Sequence, residues 1–393
     1  MKKNYDVIII GGGIIGVCTA YYLSKLGIKI ALFEKNDLAS GSSSHCDSSI
    51  LVSGKKPGFD TLVAYHSHRL YEEILDDITN KFEYIQKGSM YVCQNLEELM
   101  IAKDYVEKQA KNGFNMRMLN KREIHEEEPF LAKDIIGGFL ELDYDASINP
   151  MKFIYALSTE ASKKKTFFFT YCPVYKIKFI RKNSEYIVYT NTGNYSTKII
   201  VNCAGVWARD IGKMIGIDIP VYPKKGQILV TEKTIEVCKR KITEFNYISK
   251  KYANNSNDKI DDHNVSFVIF PTMDFNYLIG SSRQLEGYCE EVDINIMQLI
   301  AQRAIKFIPV LKNINIIRIY TGLRPYVQDN NPIISQVDEF SGFYIAAGHE
   351  GSGIGNGPIT GKLISQFIKK ERPLIPIKQF SFNRFKKKNF NIF

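Results

Sequence analysis

The stretch DVIIIGGGIIG, residues 6–16, predicts a buried β-strand that enters a helix through a glycine turn. Its β-branched run is typical of a strand covered on both faces, and the apolar residues after the glycines recur at helical spacing. Gly11 allows the tight turn, Gly13 allows a pyrophosphate to approach the backbone, and Gly16 allows the helix to pack against the strand. Because unpaired N–H groups and the dipole at a helix N-terminus favour anions, the stretch predicts a phosphate-binding turn.

An acidic residue extends this prediction to a dinucleotide. Gly27 ends the predicted helix, and residues 28–33 form a second apolar strand that is followed directly by Glu34. A carboxylate there accepts the two hydroxyls of an adenosine ribose and repels a 2′-phosphate. A glycine fingerprint alone also arises by chance, but here strand, helix, strand and acid occur in the required order. We therefore interpret the segment as a Rossmann-like dinucleotide-binding unit of α/β architecture.

The length and charge of the chain fit a globular enzyme. It has 393 residues, 45% of them apolar, with 52 basic and 42 acidic residues and a formal net charge of +10. The basic residues occur in short runs among acidic ones and no nucleic-acid recognition motif is present, so we expect no nucleic-acid partner. No stretch approaches the ~20 apolar residues that span a bilayer, so we expect no membrane span and a cytoplasmic location.

The seven cysteines indicate reduced thiols, because they include no CxxC pair and are odd in number. A disulfide framework or a cluster site is therefore not expected. His66 and His68 lie two apart in a predicted helix and face different directions, so we expect no metal site there.

Two further segments combine a strand with a glycine turn. Residues 198–208, KIIVNCAGVWA, form a strand that ends in small residues, which permits a flat ligand to approach. Residues 342–355, GFYIAAGHEGSGIG, form a strand and a glycine loop, followed by a predicted helix from about Pro358 to Lys370. Proline suits the first turn of a helix, and this second helix N-terminus would face an anionic or electron-rich group.

Together these segments resemble the FAD-dependent amino-acid oxidoreductases of the D-amino-acid oxidase superfamily, the group that includes glycine and sarcosine oxidases. The resemblance covers nearly the whole chain and rests on motifs that are specific in this order. They are GGGIIG with Glu34, LASGSSS (38–44), VNCAGVWA (201–208), GQILVTE (226–232), GLRP (322–325) and AGH (347–349). Shorter motifs, SSHCD (43–47), KKPG (55–58) and GHEGSGIG (348–355), resemble the β subunits of bacterial proline, hydroxyproline and opine dehydrogenase complexes.

The resemblance implies a Rossmann-like FAD-binding domain and a second, mainly antiparallel substrate domain. Their expected extents are residues 1–83, 147–219 and 322–375 for the first, and 84–146 and 220–321 for the second. Residues 376–393 are a basic, aromatic tail, either solvated or a docking element for a partner chain. Within the second unit, the polar insert 254–264 is expected to be a mobile loop.

The resemblance also implies noncovalent FAD with its chemistry at flavin N5. No cysteine occupies the region of Gly322, where monomeric sarcosine oxidases attach their flavin. The C-terminal glycine loop would stabilise charge that forms on reduction, the alternative being a loop that serves the fold alone. The expected cofactor-binding residues are Gly11, Gly13, Ile14, Ile15, Gly16, Glu34, Lys35, Ser42, Ser43, Ser44, His45, Val174, Ala204, Gly205, Trp207, Gly322, Gly348, His349, Gly351, Ser352, Gly353 and Ile354.

Arg324, in the GLRP motif, is the expected substrate anchor and catalytic residue. A guanidinium presents a planar fork that matches a carboxylate, and the family places this arginine over the flavin. The alternative is a structural ion pair, for example with Asp329. Glycine oxidase-like chains carry a second arginine where this chain has Gly351. His45 either faces the flavin or is a hydrogen-bonded core residue, and His349 either takes part in the reaction or orients its loop.

The function implied by the resemblance is oxidation of the C–N bond of a small amino or imino acid, such as proline, hydroxyproline, sarcosine or glycine. Hydride would pass from Cα to flavin N5, with the carboxylate clamped for near-attack geometry. Electrons would then pass to a partner subunit or acceptor, or to oxygen if the chain is an oxidase. A third alternative is an electron-transfer subunit that needs partner chains for turnover.

Overall fold

The computed structural model describes residues 3–79, 82–248 and 265–385, so the predicted loop 254–264 lies outside the described residues. Eight α-helices lie wholly within these ranges. They are α1 (Ile14–Ser24), α2 (Phe59–Asp77), α3 (Leu96–Lys111), α4 (Lys121–Glu127), α5 (Pro150–Ser162), α6 (Ala208–Lys213), α7 (Ile294–Phe307) and α8 (Gly353–Lys369).

A six-stranded sheet carries the predicted dinucleotide-binding turn. Its strands, in spatial order, are β19 (Ile333–Gln336), β20 (Phe343–Ala347), β13 (Ile199–Asn202), β2 (Val7–Ile10), β3 (Ile30–Phe33) and β9 (Thr166–Phe169). All neighbours are parallel except β19 and β20. The carboxyl ends of β2, β3, β13 and β20 therefore meet at one edge, where ligands of open α/β sheets bind.

Both faces of this sheet are covered, which is why β2 is a continuous apolar run. Val7 and Ile9 pack under α1, α2, α5 and α8. Ile8 and Ile10 pack against a four-stranded sheet in the order β1 (Lys3–Asn4), β12 (Gly193–Thr197), β11 (Glu185–Thr190) and β10 (Val174–Ile180). In this smaller sheet β10 and β11 pair antiparallel.

An eight-stranded sheet forms the second layer. Its spatial order is β18 (Ile316–Tyr326), β14 (Tyr222–Thr231), β17 (Tyr277–Ser282), β16 (Val265–Pro271), β15 (Lys241–Glu244), β5 (Ser89–Cys93), β7 (Gly137–Glu141) and β6 (Arg117–Asn120). Every neighbouring pair is antiparallel except β15 with β5. The small pair β4 (Ser49–Ile50) and β8 (Ala146–Ser147) completes the strands. The predicted mixed architecture is thus confirmed, while the domain boundaries stay a prediction; β18 runs across the boundary at residue 322.

The last helix differs from its prediction. It begins at Gly353, so Pro358 lies inside α8 and not in its first turn. Proline lacks the N–H that would bond the carbonyl four residues earlier, that of Ile354. The Tyr71 hydroxyl donates to this carbonyl instead, at 2.7 Å, which allows proline inside the helix. The early start extends the helix to the glycine loop itself.

The first part of the C-terminal tail packs onto the body of the protein. Phe380 and Phe382 are buried in the cores on the two faces of the six-stranded sheet. Arg384 donates through Nε to Asp329 at 2.6 Å. Neither a solvated tail nor an exposed docking element therefore describes residues 380–385. The remaining tail residues, including Lys386, Lys387, Lys388, Phe390 and Phe393, lie outside the described residues.

All seven cysteines are free thiols, as predicted. Within the described residues no helix has the length and apolarity to cross a membrane. The same part of the chain contains no cluster of three metal-binding side chains.

Candidate active site

The two sheets enclose a cavity of about 500 Å³ that begins at the carboxyl ends of β2 and β3. It continues past residues 40–47 and reaches the loop 349–355 at the start of α8. Twenty of the predicted site residues line it. Gly16, Ser44 and Gly348 do not. Gly16 and Gly348 lie too close to neighbouring atoms to carry a Cβ, and the Ser44 hydroxyl donates to the Gly41 carbonyl.

The glycine turn has the geometry that the sequence predicts. Gly11 has φ +112°, and a Cβ there would collide with the carbonyl of Cys203, the residue directly after β13. A Cβ at Gly16 would collide with the Gly11 carbonyl, so α1 packs tightly on the turn. Ile14, the first residue of α1, donates its N–H to the Ser43 hydroxyl at 3.0 Å. The turn therefore presents a helix N-terminus to the cavity.

Glu34 braces the turn as well as lining the cavity. Its Oε2 accepts from the Gly12 N–H at 2.7 Å, and its Oε1 accepts from the Asn36 N–H at 2.9 Å. A carboxylate offers about four acceptor positions, so two bonds leave capacity for ribose hydroxyls.

Next to Glu34, a cation and an aromatic ring border the same end of the cavity. The Lys35 ammonium lies 3.3 Å from the centroid of the Trp207 ring, and burial lowers the pKa of Lys35. Trp207 follows β13 through a turn held by Asn202, whose side chain donates to the Ala208 carbonyl and accepts from the Ala204 N–H. Asn202 belongs to one of the sequence motifs, but the motif alone assigned it no role.

The serine loop, residues 38–44, is held mainly by hydrogen bonds from its serine hydroxyls. Ser42 donates to the carbonyl of Leu323 on β18, which ties the loop to the large sheet. His45 Nδ1 lies 2.9 Å from the Ser44 hydroxyl and 3.0 Å from the Gly41 carbonyl oxygen. Its ring therefore has the hydrogen bonds of a structural histidine while it lines the cavity. A Cβ at Gly322 would collide with the His45 backbone, so glycine is needed at this crossing.

The C-terminal loop holds His349 in a neutral state. Its Nε2 lies 2.9 Å from the Thr360 hydroxyl, which itself donates to the Asn356 carbonyl. The histidine must then be the donor to Thr360. Burial lowers the pKa of His349 to about 3. This geometry agrees with the interpretation that His349 orients its loop. Lys55 approaches the same loop and donates to the Ser352 hydroxyl at 2.9 Å.

Arg324 extends from β18 into the cavity across the neighbouring strand β14. A Cβ at Gly226 would overlap its guanidinium, and a Cβ at Gly351 would lie 3.9 Å from its Cδ and Nε. Its NH1 donates to the Ser282 carbonyl at 2.9 Å. The proposed ion pair with Asp329 is wrong, because Asp329 pairs with Arg384. Among the described residues no carboxylate lies within 4.0 Å of the Arg324 guanidinium.

An ion pair in the cavity wall, between the buried Lys241 and the partly exposed Asp47, was not predicted from the sequence. Lys241 on β15 donates to Asp47 and to the Ser49 hydroxyl, both at 2.7 Å. Burial raises the pKa of Asp47, but the charges of Lys241 and Arg324 outweigh it and hold the pKa below its usual value. The SSHCD motif contained Asp47, whereas Lys241 lies in a segment without a motif.

Comparison with known proteins assigns the family. The family model for FAD-dependent oxidoreductases (DAO) matches residues 6–367, and the chain belongs to this family. Glycine oxidase from Geobacillus kaustophilus is 23% identical over 98% of both chains, and its crystal structure superposes with a TM-score of 0.86 over 98% of this chain and 99% of that chain. Rat mitochondrial dimethylglycine dehydrogenase is 28% identical over 98% of this chain, which spans only 45% of that protein. The structure of L-proline dehydrogenase from P. horikoshii gives a TM-score of 0.87 at 25% identity, over 98% of this chain and 99% of that one.

FAD fits the residues of this cavity. The turn at Gly11 and Gly13, the helix N-terminus at Ile14 and the carboxylate of Glu34 supply the contacts that a dinucleotide requires. At the other end the loop before α8 supplies backbone N–H groups at a second helix N-terminus. The chain is thus an FAD-dependent oxidoreductase, and the cavity between its two large sheets carries groups that suit this cofactor.

Proposed function

We propose that the chain oxidises the carbon–nitrogen bond of a small amino or imino acid, with Arg324 holding the substrate carboxylate. The position of Arg324 carries this proposal. Its guanidinium lies over Gly226 inside the cavity, and in the described chain its hydrogen bonds go to backbone carbonyls. A guanidinium has five N–H donors in a planar fork, so donors remain for a carboxylate.

The protein contributes orientation to this reaction. FAD, when bound, supplies the acceptor for the hydride that leaves the substrate carbon. The clamp at Arg324 and the adjacent loop at Gly351 would fix the position of that carbon, which supplies a large part of the rate. Ile228, Val268 and Leu278 line the same cavity and would limit water around the bound substrate.

Three described side chains near the clamp, Cys46, Asp47 and His349, are poor candidates for a general base. Burial, followed by the charge of Asp47, raises the pKa of the Cys46 thiol to about 12. His349 is neutral and donates to Thr360, and Asp47 is paired with Lys241. We therefore propose that the substrate reacts as the neutral amine, and that the rate of flavin reduction rises with pH until the amine is deprotonated.

For the electron acceptor we propose a partner subunit in the cytoplasm. The support is the similarity of SSHCD, KKPG and GHEGSGIG to complex-forming dehydrogenases. An oxidase is the second candidate, because Lys55 places a cation beside Ser352 at the start of α8. The cofactor is proposed to be noncovalent, since the Cys46 thiol has a high pKa and donates to the Ser43 carbonyl.

The experiment is to purify the holoenzyme and mix it anaerobically with glycine, sarcosine, proline and hydroxyproline. We expect at least one to bleach the flavin, with a dye acceptor supporting turnover faster than oxygen does. Acid precipitation should release FAD into solution. Stoichiometric peroxide would instead favour the oxidase, and flavin retained by the precipitated chain would contradict noncovalent binding.

A further inference from the structure

A second cavity of about 310 Å³ adjoins the first. The two cavities share two lining residues, Leu51 and Lys241. Lys241 is only 7% exposed, so its side chain is part of the wall between the cavities and not of the outer surface. The two cavities therefore meet at Lys241.

The large sheet gives the first cavity two polar ends. Arg324 lies on β18 and Lys241 on β15, and three strands lie between them. Those three strands contribute the apolar side chains Ile228, Leu278 and Val268 to the cavity. The carboxylate clamp is therefore separated from a second polar group by an apolar stretch. Both cations act on Asp47, so they face one chamber.

The second polar end retains hydrogen-bond donors. Of the three hydrogens of the Lys241 ammonium, Asp47 and Ser49 accept two. Thr243 lies two residues further along β15 and hence on the same face. It is 2% exposed and lines the cavity, and its hydroxyl has no hydrogen-bond partner among the described residues. A buried hydroxyl without a hydrogen-bond partner destabilises the protein unless a ligand forms a hydrogen bond with it.

Basic side chains predominate among the described residues that line the second cavity. Lys87, Arg240 and Lys241 line it together with the acid Glu236. Arg240 is paired with Glu127 and Lys241 with Asp47, so Lys87 contributes most of the uncompensated positive charge. Lys87 is exposed, which gives the cavity a positive rim. Thr272 adds a second buried hydroxyl without a partner in the described chain. A group that reaches this place is favoured if it is negative and accepts hydrogen bonds.

We propose that Lys241 and Thr243 form a second anion-binding subsite, and that the substrate is an elongated amino acid whose far end carries a carboxylate. Arg324 would hold the carboxylate next to the reacting C–N bond, and the apolar stretch would contact the chain between the two ends. This proposal rests on the function proposed above and narrows its substrate class.

The test measures binding to the holoenzyme with ligands that cannot be oxidised at nitrogen. The probes are thioether dicarboxylates, in which sulfur replaces nitrogen and two to five methylenes precede the distal carboxylate. Each is compared by calorimetry with its distal amide and with methylthioacetate. We expect at least one chain length at which the distal carboxylate binds more than 10-fold tighter than the amide, since charged pairs exceed neutral ones by about this amount.

Variants test whether Lys241 and Thr243 cause the preference for a distal carboxylate. Thr243→Val preserves shape, and the double change Asp47→Asn with Lys241→Met removes the ion pair without leaving a lone charge. Both are expected to reduce the carboxylate-to-amide ratio to below ~3-fold. Lys103→Met, at an exposed site on α3, is the matched control and should retain the full ratio. A ratio near one at every chain length, or a ratio unchanged in both cavity variants, overturns the proposal.

The two proposals fail in different ways. If methylthioacetate binds through Arg324 but the distal carboxylate adds nothing, only the second subsite is wrong. If no carboxylate ligand binds and no amino acid reduces the flavin, the proposed function itself is wrong. Flavin reduction by the elongated secondary amines, faster than by sarcosine, would support both.

Discussion

The turn after β2 and the wall formed by the large sheet are both cavity surfaces, but they are encoded differently. Around the turn, Gly11, Gly16 and Glu34 act on neighbours that the same βαβ unit or the adjoining strand supplies. In the sheet, the guanidinium of Arg324 depends on Gly226, which is nearly a hundred residues away in the chain. The strand register pairs Gly226 with Gly322, two residues before Arg324. The first surface is encoded by one short motif, although the Cys203 carbonyl that Gly11 accommodates comes from a distant part of the chain, whereas the second surface is fixed by the pairing of distant strands.

The largest expected effect comes from breaking the local motif. Gly11→Ala should abolish or severely weaken FAD binding, by ~10³-fold or more, because a Cβ would meet the Cys203 carbonyl at a φ of +112°. Fluorescence titration of the apoprotein with FAD measures this. Gly113→Ala is the matched control, since Gly113 has φ +89° but a methyl group there would have no atom within 4 Å. Equal FAD affinity in both variants would show that the turn is not the cofactor site.

The second effect concerns the clamp on the sheet wall. Arg324→Ala should slow flavin reduction per substrate concentration by roughly 30- to 150-fold, which corresponds to about 2–3 kcal/mol for a charged bidentate pair. FAD binding should be unchanged. Arg324→Lys keeps the charge but loses the fork, so its rate should fall between the two. Anaerobic stopped-flow with an amino acid and its decarboxylated amine provides the measurement; equal losses for both would make Arg324 structural.

This difference between the two surfaces determines which site residues could be predicted from the sequence. The β2 turn, Glu34, the loop before α8 and Arg324 all lie in short motifs that can be recognised in the sequence. Lys241, Thr243 and the role of Gly226 were missed, because a side chain on one strand of a mixed sheet gains its neighbours from register. Pro358 was misplaced for a related reason, since its compensation comes from Tyr71 on another helix.

A smaller effect tests how the pairing of β14 with β18 positions the Arg324 guanidinium. Gly226→Ala should displace the guanidinium and reduce the rate of flavin reduction by roughly 10-fold, about half of the Arg324→Ala effect in free energy. If Gly226 acts through Arg324, the double variant should be no slower than Arg324→Ala alone, because the two residues share one interaction. Independent losses in this double-mutant cycle would assign Gly226 a role apart from the arginine.

The smallest effect tests whether His349 is a neutral structural residue of its loop or takes part in the reaction. The pKa of His349 is lowered to about 3, well below the ordinary value of 6.5. Between these values the unfolded chain binds a proton that the folded chain does not, so stability rises with pH and falls on acidification through this range. His349→Gln keeps an N–H donor for Thr360 but cannot titrate. Its free energy of unfolding, relative to the parent, should therefore increase by ~1 kcal/mol as the pH is lowered from 7 to 5.5. Urea unfolding of the holoenzyme at the two pH values measures the difference, and a parallel pH dependence in both proteins would mean that His349 is protonated in the folded state.

Flavin reduction by the variant should keep the pH profile of the parent, because the neutral imidazole holds the loop and the proton that matters is on the substrate amine.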